Sequence, residues 1–150
     1  MARDVDCLGV VADFGADYWD AFRITGLGGV RPSSWAAASL GAVEVAHRAF
    51  GIVVWGGLLG FDLAPRDTDG ALVGWQVTAD TQDQFFLDAD GSRMAGRMAF
   101  TRDGDDLVWT TMLRHHSASG PRVWAVLSPV HRAIAPRSLM MARRALAREA

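Results

Sequence analysis

The sequence predicts an α+β fold, an antiparallel meander packed against helices, and three observations predict it. Hydrophobic alternation with a period of two fills residues 71–116, short Asp-Gly turns interrupt that region, and residues 120–149 return to a helical, arginine-rich pattern. Strands joined by such tight turns have to run antiparallel. The order of one early strand, helices, meander and long helix belongs to α+β domains rather than alternating α/β ones. At 150 residues the chain is long enough for one domain with a substantial core.

Taken in order, residues 1–16 carry only weak signals. DYWDAFRIT (17–25) alternates, with Tyr18, Asp20, Phe22 and Ile24 on one face and Trp19, Arg23 and Thr25 on the other, as in a half-buried strand. GLGGVRP breaks it. Residues 33–61 are helical by composition, with Ser33 or Ser34 as the cap. Gly41 is expected to split that stretch into two helices, the second with Glu44, His47, Arg48 and Gly51 on its wetter side. Four strands follow, LVGWQVTAD (72–80), QFFLDA (84–89), SRMAGRMAFT (92–101) and DLVWTTMLRHH (106–116), making five in all. DADG (88–91) and RDGD (102–105) read as hairpin turns in which glycine supplies a positive φ.

The last segment reads as a helix in spite of prolines at 121, 129 and 136. Pro121 falls near a helix start, where its missing N–H costs nothing, and Ser128-Pro129 is a second start signal, so the main helix is expected from about 129. Pro136 lies inside it and predicts a kink. On a helical projection Val130, Ile134 and Met141 share an apolar sector flanked by Leu139 and Leu146. Arg132 and Arg143 lie opposite that sector, and Arg137, Arg144 and Arg148 form a third. A bent amphipathic helix of this kind fits across the concave face of a curved sheet.

Composition narrows the function classes. Half of the residues are hydrophobic and 21% charged, ordinary for a globular protein. Cys7 stands alone, so no internal disulfide forms. MARDVDCLGVV places two aspartates where a secretory signal would be apolar. The longest apolar run, 49–61, has 13 residues, short of the roughly 20 that cross a bilayer. The expectation is a soluble, cytoplasmic protein. Every basic residue other than histidine is arginine; residues 122–149 hold six of them and one acid, a formal +5 against −7 for the rest of the chain. That arginine face reads as solvated or paired with the acidic body, and the absence of interleaved aromatics argues against nucleic acid as a partner. An apolar strand edge admits pairing of two copies into a homodimer.

SPVHRAIAPRSLMMARRA (128–145) resembles the last helix of a bacterial family of unknown function, whose members typically show Pro-Phe-His-Arg-Leu-Ile there. DYWDAF (17–22) and TTMLRHHSASGPRVW (110–124) are similar to the family's other landmarks, so the resemblance spans roughly residues 17–146. Val130 stands where the family usually has phenylalanine. The family is similar to the START-like, polyketide-cyclase-like (SRPBCC) superfamily and is sometimes found attached to short-chain-dehydrogenase-like domains. The resemblance implies a helix-grip fold, normally of six or seven strands, and a pocket for a small hydrophobic molecule or lipid. It supplies no catalytic motif.

The candidate chemistry is sparse. GLGG (26–29) lacks the third glycine of a dinucleotide fingerprint; Arg31 occupies that position and Pro32 is expected to delay the helix. No cofactor is expected, and four histidines without metal-ligand spacing give no metal site. No G-x-S-x-G or activated cysteine supports covalent catalysis. Asp20, between Tyr18 and Phe22 on the face expected to be buried, has to be paired, protonated or turned to a wet cavity. His115 shares a strand face with Leu107, Trp109, Thr111 and Leu113; His116 points the other way, and His131 is expected to hold the start of the last helix to the sheet. The expected ligand-binding set is therefore Tyr18, Asp20, Phe22, Trp75, Met98, Phe100, Trp109 and His115, with Asp20 and His115 as polar anchors. The rival is a polyketide-cyclase-like enzyme using Asp20 or His115 for proton transfer on a carbonyl compound. A third reading is a non-catalytic interaction domain whose core is filled by its own side chains.

Overall fold

A computed structural model describes residues 5–46, 51–65 and 68–149. Its sheet has six strands: β1 (Tyr18–Thr25), β2 (Ala71–Leu72), β3 (Trp75–Asp80), β4 (Gln84–Asp90), β5 (Met94–Asp103) and β6 (Asp106–His115). Their order is β1-β6-β5-β4-β3-β2, antiparallel throughout, in a curved sheet that does not close. The sixth strand comes from LVGWQVTAD, expected as one strand. Leu72 pairs with Trp75, and the two residues between them turn with φ of 47° at Val73 and 87° at Gly74. A β-branched residue is rarely left-handed, so valine conceals the hairpin in the sequence. Gly104 has the expected positive φ of 57°. Gly91 has not. It lies where the backbone of residues 60 and 61 crosses: Phe61 and Gly91 form an isolated bridge, and a Cβ on Gly91 would sit 1.8 Å from the Gly60 carbonyl oxygen.

One face of the sheet is covered by α1 (Val5–Phe14), in the region where the sequence signals are weak. Val11 and Phe14 pack on Ala95, Ala99 and Met112, with Trp19 and Phe86 at the margin. Gly15, at φ 70°, ends the helix: its N–H meets the Ala12 carbonyl, the Ala16 N–H meets that of Val11, and Arg114 Nη1 donates to the Phe14 carbonyl. Arg97 lies over the Phe14 and Phe86 rings while its guanidinium grips Asp88 at 2.7 and 2.8 Å.

The other face carries the main core, beneath α2 (Pro32–Ala46), a π-helical segment (Gly51–Leu58) and α3 (Ser119–Glu149). Pro32 opens α2 instead of delaying it, and the Arg31 carbonyl, not a Ser33 or Ser34 side chain, accepts the N–H groups of Ser34 and Trp35. The helix passes through Gly41 unbroken. His47 and Arg48, and the Glu44 side chain, lie outside the described residues. The last helix is also continuous, all 31 residues of it, rather than a short turn followed by a main helix from 129. Its buried side differs from the expected apolar sector: Val130 and Met141 are exposed, while Trp124, Ser128, Ala135, Ser138, Leu139 and Ala142 are buried. Small residues decide this. Ala135, Ser138 and Ala142 let α3 approach α2, which presents buried Ala36, Ser39 and Leu40.

Gly91→Ala should lower unfolding stability by about 2 kcal/mol or more, because the obstructing atoms are backbone and cannot yield cheaply. Gly28→Ala, with nothing within 4 Å of the added methyl and no positive φ, should change stability by less than about 0.5 kcal/mol. Chemical denaturation of both variants checks the pair.

Candidate functional site

Where α3 crosses the sheet, the side chains do not meet. They leave a cavity of about 70 Å³. Thr111, Met98, Trp109 and Leu113 form its floor on β5 and β6, and Trp75 closes the β3 side. Leu40, Trp55, Leu59 and Phe61 come from the helical side, and Trp124, Leu127, His131, Ile134 and Ala135 from α3. Trp55 and Trp75 meet edge to face with centroids 5.7 Å apart, and Phe61 tilts against Trp75 at 5.0 Å. The space is smaller than the roughly 300–1,000 Å³ of ordinary ligand pockets.

The wall is mostly apolar, and four of the polar groups that its residues carry have no partner. Among the described residues the indole Nε1 of Trp75, Trp109 and Trp124 and the Thr111 hydroxyl are buried without a hydrogen bond. All four residues line the cavity and are at most 7% exposed. An orphaned buried polar group costs about 1–3 kcal/mol. Two further orphans, Ser39 Oγ and His115 Nδ1, belong to residues that do not line it.

At one wall a polar chain enters from β1. Asp20, 1% exposed, stands opposite Thr111 in the β1–β6 register. It accepts the Tyr18 hydroxyl at 2.6 Å and lies 3.2 Å from His131 Nε2. Arg132 Nε donates to the Tyr18 oxygen at 3.1 Å, with its guanidinium 5.6 Å from the ring centre. Burial, then the bond to Asp20, pushes the Tyr18 hydroxyl up to about 12. The phenol therefore stays protonated at neutral pH and donates to Asp20. The His131 ring tilts against Trp124 at 5.4 Å and meets Trp109 edge-on at 6.2 Å.

The expected residues divide into three groups. Trp75, Met98 and Trp109 line the cavity. Tyr18, Asp20, Phe22 and Phe100 stand behind the lining: Tyr18 packs its edge on Trp124, Phe22 faces the His131 ring at 6.3 Å, and Phe100 stacks on Trp109 at 5.1 Å. His115 lies apart, at the end of β6 beside Gly120, whose added Cβ would meet His115 Nδ1 at 2.9 Å. His116 bonds Asp90 at 2.7 Å, and that bond, helped by the Gly91 amide, holds the Asp90 carboxyl below its usual range. Among the described residues, the histidine that lines the cavity is His131. Helical spacing puts it one turn from Leu127 and two turns from Trp124, but its meeting with Asp20, 111 positions away, has no local signal.

Compared with protein-family models, curated proteins and solved structures, the chain matches none. Among the described residues no helix is long and apolar enough to cross a membrane, and no cluster of metal-ligating side chains occurs.

Tyr18 is the one tyrosine, and the chain has no lysine, so titration between pH 10 and 12 isolates this site. A raised folded pKa favours the protonated fold. The stability it contributes is complete below the ordinary tyrosine value near 10 and is lost as pH rises toward about 12. Ultraviolet titration should show the phenolate forming late in native protein and near the ordinary value in denaturant. Tyr18→Phe should flatten the alkaline fall in melting temperature.

Proposed function

We propose that the domain binds a small, largely apolar molecule carrying hydrogen-bond acceptors, held between the sheet and α3. The observation that carries this reading is that four residues with unpartnered buried polar groups, three indoles and one hydroxyl, line a single cavity. A core meant only to be filled by its own side chains has no reason to surround a void with orphaned donors. An indole N–H can only donate, so the complement is an acceptor such as a carbonyl or ether oxygen. Aromatic walls suit a flat skeleton. The curved sheet against a long C-terminal helix is also the arrangement a helix-grip domain would need, and it supports that assignment.

Admission of a ligand requires the cavity to widen. The π-helical segment is the wall best suited to give way. Its wide turns carry Trp55, and Gly56 and Gly57 have nothing within 4 Å of an added methyl.

A shape-matched pair of probes tests the reading. Acetylnaphthalene and ethylnaphthalene differ in one carbonyl. A merely greasy void prefers the hydrocarbon, whereas a donor-lined one prefers the ketone. Calorimetric titration should give the ketone an affinity roughly tenfold higher, and Trp→Phe changes at positions 75, 109 and 124 should shrink that preference. Native mass spectrometry should show a co-purified adduct. No saturable binding, or preference for the hydrocarbon, sinks the reading. Thr111→Val keeps the shape and deletes an orphan, so it should stabilise the empty protein by about 1 kcal/mol.

A further inference from the structure

The geometry points to His131 as a base that removes a proton from the carbon next to a ligand's carbonyl, with Asp20 as the residue that positions it. The inference rests on the cavity admitting such a ligand and adds a reaction to the binding.

The hydrogen-bond directions around Asp20 are determined in sequence. Arg132 donates to the Tyr18 oxygen, so the Tyr18 proton points to Asp20. Asp20 therefore acts as an acceptor toward Tyr18, and a carboxylate accepting there has its other oxygen ready for the Nε2–H of His131. A proton on Nε2 leaves the lone pair on Nδ1, which no described residue bonds. In its neutral form the imidazole therefore holds its proton on Nε2 and keeps Nδ1 as the basic nitrogen, on a ring that lines the cavity. Trp109, Trp124 and Thr111, whose donors have no partner, line the same cavity and could supply a bond to the oxygen on which negative charge would develop.

The step balances without a co-reactant. His131 Nδ1 takes the proton, the C–H electron pair becomes the carbon–carbon double bond of the enolate, and the carbonyl π pair moves onto oxygen, which accepts an indole N–H. The proton returns to the same carbon or to a conjugated one, giving exchange or isomerisation.

The test uses the full chain with acetylnaphthalene in heavy water and follows loss of the methyl proton signal by nuclear magnetic resonance. Exchange should exceed that of an equal concentration of free imidazole by roughly a hundredfold. His131→Gln should abolish it while calorimetry still reports ketone binding. Asp20→Asn, whose amide oxygen can serve only one of Tyr18 and His131, should lower the melting temperature and, in protein that remains folded and binds the ketone, slow exchange at least roughly tenfold. Binding without exchange above free imidazole, or full exchange by His131→Gln, overturns the inference and leaves the binding reading standing. Absence of binding overturns both.

Discussion

The buried carboxylate of Asp20 is the constraint on which the arrangement of α3 depends. An edge strand has placed an ionisable group at 1% exposure, beside an aromatic core. Such a group requires partners of its own. Tyr18 comes from the same strand, two residues away, and its position follows from strand geometry. His131 comes from α3, and to reach Asp20 the helix has to lie along β1 in one rotation. Trp124 against Tyr18 and Arg143 donating to the Thr25 carbonyl continue the same seam in both directions. The cavity then follows. With the helix held along this edge and drawn toward α2 by its small residues, the large side chains between cannot fill the space above Thr111 and Met98.

The helix also shows what this positioning costs. Pro129 and Pro136 each remove an internal backbone donor, yet α3 remains continuous for 31 residues. Tertiary packing outweighs the local loss. The side that faces solvent keeps Val126, Val130, Met140 and Met141 exposed alongside Arg137 and Arg144. Burying those aliphatics against the sheet would turn His131 away from Asp20 and leave a carboxylate without one of its partners. A few exposed methyl groups are the smaller penalty.

On the opposite face, α1 is held by cation–π contacts as much as by aliphatic packing. Arg97 and Arg114 lie over Phe14 at 5.1 and 5.0 Å, and each also makes a directed hydrogen bond. This explains how a short helix with a glycine at its centre is maintained. Its own propensity is poor, and its stability comes from the guanidinium planes that the sheet supplies.

Much of the fold was legible in the residues themselves. Alternation in 17–25 and 84–116 marked the strands, Asp-Gly at 103–104 marked a turn, and the helical character of 120–149 survived its prolines, because each of these signals is local. Asp20 could be singled out because a carboxylate on an apolar strand face needs an explanation wherever it occurs. The hairpin at Val73-Gly74, the close crossing at Gly91 and helix α1 were concealed, since each relies on support from distant chain. The site was legible only in part. Trp75, Met98 and Trp109 follow from strand alternation, but the choice of His131 over His115 does not. Sequence alone determined four of the six strands, the helical character of the segments that cover them and which side chains share a strand face, because those follow from backbone periodicity. Only the tertiary structure decided which face of α3 turns inward, and with it which histidine meets Asp20, because that rotation is set by close packing of small residues and by one buried charge 111 positions away.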